Sequence, residues 1–151
     1  MSKESLLREL LQDECEPIMS AIAVAVDEVD DPKEFVRESL KVFDRWMLDN
    51  PKATRVWVQC SLEEPGALRS LYERSLMPSE FYDRLGRIID SGQIRCDDPF
   101  ILNMLFESLI VFPHMMRQAL ELIDPGQSEE EIFDRRFEAM MDLFEHGLFT
   151  N

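Results

Sequence analysis

The chain reads as an all-α protein, and three observations predict it. Only five glycines occur in 151 residues, and the Val-Thr-Tyr alternations that mark strands are few. Apolar residues recur instead at helical spacing along most of the chain. Asp31-Pro32, Asn50-Pro51 and Asp98-Pro99 stand at the starts of those runs, where the first residue caps a helix and proline takes its first position. The length, with 45% hydrophobic residues, suits one ordered domain over residues 1–151 with a substantial core.

Six or seven helices follow from this reading. Ser2 caps the first, expected to run to about Glu28. Leu6, Leu7, Leu10 and Leu11 begin its apolar face, and Ile18, Ile22, Val26 and Val29 continue it. Pro17 between them is expected to kink or interrupt the helix. The second helix covers residues 32–48, with Phe35, Val36, Leu40, Phe43, Met47 and Leu48 at helical spacing. The third, residues 51–62, carries Val56, Trp57 and Cys60. Pro65 opens a fourth, with Leu68, Leu71, Tyr72 and Leu76 on one side, interrupted at Met77-Pro78-Ser79. Phe81, Leu85, Ile88 and Ile89 continue a helical pattern to the stop at Ser91-Gly92. Residues 93–97 read as a linker. After the long segment 99–123, Asp124-Pro125-Gly126 is a stop, and Ser128 with Glu131 forms a capping box. The last helix, residues 128–148, shows Ile132, Phe133, Phe137, Met140, Met141, Phe144 and Leu148.

The segment 99–123 carries more apolar surface than one core uses. Its only ionised residues are Glu107, Arg117 and Glu121. Phe100, Ile101, Met104, Leu105, Leu109, Phe112, Met116 and Leu120 cover one side, while Leu102, Phe106, Ile110, Val111, Met115 and Ile123 cover much of the rest. A surface helix needs one apolar stripe. The surplus predicts a partner, most simply a second copy of the chain. Its polar residues, His114 and Gln118 among them, argue against a membrane span.

The net charge of -15, from 31 acids against 16 bases, argues against independent binding to DNA or RNA, where phosphate contacts dominate affinity. It suits solubility or a basic partner. Cys15, Cys60 and Cys96 are widely spaced and form no CxxC pair, so no disulfide framework or zinc knuckle is signalled. The start MSKESLLRELL carries acids at Glu4 and Glu9 and no signal-peptide pattern. A reducing, cytoplasmic location is the expectation.

No phosphate-binding glycine loop, nucleophile elbow or HExxH motif occurs, and no cofactor or metal is expected. His114 and His146 are the two histidines. Glu107 lies seven residues before His114, on the same helix face, in a geometry that suits a metal, an acid–base pair or a polar seam facing solvent. Arg136 is expected in an i,i+4 or interhelix ion pair, commonly a solvated contact. Trp46, Trp57, Tyr72 and Tyr82 suit a pocket with Met19, Met47, Phe106 and Met115, or simply a core. Arg55 is the charged candidate beside such a pocket. The chain therefore reads as a binding or assembly module rather than an enzyme.

Four motifs in order carry a family resemblance. Ser2-Lys3-Glu4-Ser5-Leu6-Leu7 resembles the S-K-E-x-L-L start of the fourth helix in TetR-type transcriptional regulators. Asn50-Pro51 followed by Ala53-Thr54-Arg55-Val56-Trp57 is similar to a helix start in their ligand-binding domain. The run Gly92-Gln93-Ile94-Arg95-Cys96-Asp97-Asp98-Pro99 is similar to the turn before their eighth helix. Phe144-Glu145-His146-Gly147-Leu148 resembles the close of the ninth.

The resemblance implies a homodimer whose last two long, antiparallel helices pair with their mates in an intermolecular four-helix bundle. Carried onto this chain, the bundle comes from residues 99–123 and 128–148, with Leu105, Leu109, Phe112, Met116, Phe133, Phe137, Met140 and Phe144 at the interface. A charge at Phe137 or Met140 is then expected to dissociate the dimer. The resemblance also implies an effector cavity for a small apolar or aromatic ligand, drawn from Cys15, Met19, Phe43, Met47, Trp57, Cys60, Tyr72, Phe106 and Ile110.

Such regulators carry their helix-turn-helix ahead of the S-K-E segment, where this sequence has only Met1. The expectation is a regulatory domain without DNA-binding capacity of its own. It is either separated from its DNA reader or a naturally short product that pairs with a full-length relative. Two alternatives stand beside it: an acidic module for a basic protein partner, and a helical-bundle enzyme using Glu107 and His114.

Overall fold

The computed structural model describes residues 3–63, 79–117, 119 and 126–150, apart from the side chains of 3, 4, 7, 8, 11, 15, 60–63, 79, 80 and 100. Six helices lie among the described residues: α1 (Lys3–Val26), α2 (Pro32–Asp49), α3 (Pro51–Glu63), α4 (Ser79–Asp90), α5 (Pro99–Met115) and α6 (Glu129–Gly147). They are the all-α class that the periodicity predicts. The helix expected from Pro65 to Leu76 lies outside the described residues. No helix among the described residues is long and apolar enough to cross a membrane.

Asp31 and Ser128 act as read, while the Asn50 side chain donates from Nδ2 to Trp46 O at 2.9 Å at the end of α2. Asp31 caps α2, its Oδ1 accepting from the backbone N–H of Lys33 at 2.9 Å and of Glu34 at 3.0 Å. Ser128 and Glu131 form both halves of a capping box on α6. The hydrogen bonds that the Glu131 carboxylate accepts from Ser128 hold its pKa below the ordinary 4.5. Pro17 does not interrupt α1, which is continuous through it. Asp13, whose carbonyl the proline leaves without its helical partner, and Pro17 itself are both exposed, so water can take up that acceptor. Among the described side chains of α1, Ile18 is the first that is buried, whereas Leu6 and Leu10 are exposed.

The middle of the fold is α2, which packs against α1, α3, α5 and α6. The main core joins Phe35, Val36, Leu40 and Met47 of α2 to Leu85, Ile88 and Ile89 of α4, Leu102, Phe106 and Ile110 of α5, and Phe137, Met140, Met141 and Phe144 of α6. A smaller cluster holds Ile18 and Ile22 of α1 with Trp57 of α3. The supposed linker 93–97 takes part. Ile94 and Phe149 are both buried and form an antiparallel bridge between linker and C-terminal tail. Arg95 N donates to Leu148 O at 2.8 Å and Thr150 N to Gln93 O at 2.9 Å. Gly92, at φ 72°, supplies the left-handed residue that turns the chain out of α4 into this pairing.

The last two helices are held in register by specific contacts. His114 stacks on Phe133 with ring centroids 4.4 Å apart, Arg136 reaches the Leu109 carbonyl at 3.0 Å, and Phe106 meets Phe144 at 5.2 Å. These contacts run in opposite order along the two helices, so α5 and α6 are antiparallel. Pro113 explains the middle contact. A proline inside a helix removes the hydrogen bond to the carbonyl four residues back. That carbonyl is Leu109, and the Arg136 Nη1 takes it. The same guanidinium pairs through Nη2 with the buried Asp44 of α2, to which His114 Nε2 also bonds at 2.9 Å. A carboxylate only accepts, so His114 carries a proton on Nε2. Beyond Pro113 the helix tightens: Ala119 N bonds Met116 O, three residues back, at 2.8 Å. α5 is described to Met115, and most of the stretch from there to the expected end near 123 lies outside the described residues.

Phe133, Phe137, Met140 and Phe144 are all buried within the chain, which corrects their expected place at a subunit interface. The periodicity of α6 has one strong apolar stripe, and the chain's own core uses it. Phe137→Asp is therefore expected to unfold the chain rather than to dissociate it, lowering unfolding free energy by about 3 kcal/mol or more in urea titrations. Arg136→Met leaves Asp44 without its cationic partner and should cost about 3 kcal/mol. Arg135→Met, on the exposed side of the same helix, should stay within about 0.5 kcal/mol in the same titrations.

Candidate ligand cavity and the exposed face of α5

A cavity of about 100 Å³ lies where the two core clusters meet. Helical spacing places its walls. Phe35, Val36, Ser39, Leu40 and Phe43 share one face of α2, Asn103, Phe106 and Glu107 one face of α5, and Phe81, Tyr82 and Leu85 one face of α4. Met19 and Ile22 of α1 and Trp57 of α3 complete the lining. The aromatic walls brace one another. Phe35 and Phe81 have centroids 5.1 Å apart, Phe81 and Tyr82 meet edge-on at 5.9 Å, and Phe43 and Trp57 at 6.2 Å. The volume is of the order of an engineered apolar cavity, about 150 Å³, that holds benzene.

A second, more open hollow of about 370 Å³ adjoins it between α3 and α5, lined by Trp57, Val58, Glu107, Ser108, Val111, Phe112 and Met115. Trp57 and Glu107 belong to both linings. They form the wall between an inner apolar space and an outer hollow.

Polar groups gather at that wall. Asn103 Nδ2 donates to Glu107 Oε1 at 2.8 Å. Burial pushes the Tyr82 phenol above its ordinary 10.0, and the negative charge of Glu107 pushes it further the same way. Ser39 turns its hydroxyl back to the Phe35 carbonyl at 2.7 Å, so its donor is satisfied within α2. The described residues bring together no group of three or more His, Cys, Asp or Glu able to hold a metal ion.

Of the pocket residues expected from sequence, Met19, Phe43, Trp57 and Phe106 line the cavity. Met47 and Ile110 are buried in the main core and line neither space. Both belong to faces of α2 and α5 already filled by core packing. Tyr72 and the side chains of Cys15 and Cys60 lie outside the described residues. Arg55 is exposed, Tyr82 lines the inner space and Met115 the outer one. Sequence reasoning missed Asn103 and Glu107 as pocket residues. The available signal was their i,i+4 spacing around Phe106 in an otherwise apolar helix. Glu107 and His114 do not form a pair: the first is held by Asn103 at the cavity, the second by Asp44 in the core.

Much of the rest of α5 is exposed, with Phe112 and Met115 at the rim of the outer hollow. Ile101, Met104, Leu105, Leu109, Phe112, Met115 and Met116 are all exposed, Phe112 by 60%, while Leu102, Phe106 and Ile110 face inward. On α6, Ile132, Ala139 and Leu143 recur at i, i+7 and i+11 on the Arg136 edge, next to this stripe and away from α2. Leu143 is 71% exposed. The exposed apolar residues of α6 are thus different ones from those expected. Compared with known proteins, the chain matches no family model and no curated protein.

The polar wall makes a spectroscopic prediction. In a Tyr72→Phe background, absorbance titration should show Tyr82 ionising above 10.0. Glu107→Gln should lower that value but leave it above 10.0, because burial is the larger cause. The sign follows: an acid whose folded pKa is raised favours folding below its unfolded pKa and loses that advantage as pH rises through the folded one.

Proposed function

We propose that the chain is a dimerising, effector-binding regulatory domain of the kind found in TetR-type regulators. The observation that carries this reading is the apolar stripe of α5. It holds six large side chains from Ile101 to Met115, about 21 Å of helix at 1.5 Å per residue. Contiguous apolar surface of that length on a soluble chain marks an interaction site. Its occupant is a second copy of the same face. The stripe carries no charge although the chain has a net charge of -15. Two such stripes can therefore meet about a two-fold axis without opposing acids at their centre. The Ile132, Ala139 and Leu143 edge of α6 extends the contact, giving two helices from each subunit. This is the arrangement that the resemblance implies, with the α6 contribution moved from its inner to its outer edge.

The cavity supplies the second half of the function. It lies behind α5, between the core and the stripe's own helix. A ligand touching Phe106 and Glu107 acts on the same helix that carries the dimer face. Ligand binding and the geometry of the subunit contact are thereby coupled through one rigid element.

Sedimentation equilibrium at micromolar concentration tests the reading, with a dimer as the expected result. Leu109→Asp and Phe112→Asp, both at exposed positions, should give monomers with unchanged helical circular dichroism. A wild-type chain that sediments as a monomer would sink the proposal.

A further inference from the structure

The polar atoms of the cavity wall narrow the kind of ligand it takes. In the described lining, side-chain nitrogen and oxygen atoms belong to Ser39, Trp57, Tyr82, Asn103 and Glu107. Three of these residues are engaged with the protein itself. The Ser39 hydroxyl donates to the Phe35 carbonyl, the Glu107 carboxylate accepts from Asn103, and Trp57 and Glu107 each have further protein partners.

Two groups are left over. Asn103 gives an Nδ2–H to the Glu107 carboxylate at 2.8 Å. A carboxylate only accepts, so this bond fixes the orientation of the amide and leaves Oδ1 as an acceptor without a described partner. The Tyr82 hydroxyl makes no hydrogen bond with any described residue. Tyr82 lines the cavity while 39% exposed, so it stands where the cavity meets the surface. Burial and then the charge of Glu107 raise the pKa of the phenol, which sets its hydroxyl on the Glu107 side of the ring. Held above 10.0, the phenol keeps its proton at neutral pH and can donate it.

We infer that the ligand is a small neutral molecule with an aromatic body and one hydroxyl group, which donates to Asn103 Oδ1 and accepts from the Tyr82 hydroxyl. This rests on the cavity being the effector site proposed above.

Three physical arguments carry it. A hydrocarbon that fills the cavity strips water from both groups and returns nothing, and a buried polar group without a partner is costly. A ligand group that reproduces the hydrogen bonds of the displaced water avoids that loss. A hydroxyl both donates and accepts, so a single group meets both needs, whereas an ammonium only donates and a carboxylate only accepts. The body follows from the walls: the rings of Phe35, Phe43, Phe81 and Phe106 face a space of about 100 Å³, which suits one aromatic ring.

The test is isothermal titration calorimetry on the full chain with three one-ring probes. Phenol donates and accepts, anisole only accepts, and toluene does neither. Phenol should bind about tenfold more tightly than toluene, with anisole between them. Tyr82→Phe removes the donor, so anisole should fall to the level of toluene while toluene itself stays nearly unchanged. Asn103→Leu removes the acceptor, so phenol should lose its lead over anisole. Phenol binding no tighter than toluene, or keeping its full lead over toluene in both variants, overturns the inference but leaves the cavity as an effector site. Binding of none of the three overturns both, and the sedimentation result then stands or falls separately.

Discussion

A carboxylate cannot be left alone in a core, and much of this structure follows from how Asp44 is accommodated. It sits on α2, the helix that packs against α1, α3, α5 and α6, and is nearly inaccessible to solvent. Arg136 comes from α6 and His114 from α5 to meet it. Arg136 also satisfies the Leu109 carbonyl that Pro113 strips of its helical partner. Phe133 lies against both of these partners, stacked on His114 and with its ring centroid 5.3 Å from the Arg136 guanidinium. Three helices are thereby locked at one level in a register that apolar packing alone would leave freer. Surface pairs from Arg45 to Glu130 and Asp134, and from Arg37 to Glu138, repeat the α2–α6 register at lower strength because water screens them.

Locking α5 at His114 also sets its rotation. With His114, Ile110, Phe106 and Leu102 turned inward, Ile101, Met104, Leu105, Leu109 and Phe112 have to turn out. Asn103 and Glu107 fall at the boundary, beside the cavity. One helix thus supplies core, cavity wall and exposed apolar face from three sectors of its circumference. The proposed coupling of ligand to dimer needs no longer path than the width of this helix.

The helix starts were legible because their chemistry is local. Asp31 and Ser128 meet partners two or three residues away, and no other part of the fold is needed to form those caps. The two-sided character of α5 was equally plain from composition. The cavity was half legible. Aromatic residues at helical spacing pointed to Phe43, Trp57 and Phe106, but the same pattern also nominated Met47 and Ile110, which the core absorbs. Glu107 and His114 share a face, yet seven residues raise one about 10 Å above the other along the axis. At that separation they meet different neighbours, so a common azimuth gave no common site.

The sequence by itself determined the class of fold, the helix boundaries that have capping residues, and the excess of apolar surface on the segment after Pro99. Each depends on side chains within a turn or two of one another. Only the tertiary structure decided which apolar stripe of α6 goes inward, that residues 93–97 pair with the tail through Ile94 and Phe149, and that Asp44, His114 and Arg136 converge. Those outcomes depend on contacts between residues up to 92 positions apart. A periodic pattern shows that a helix has a face to bury, but the surface it is buried against comes from elsewhere in the chain.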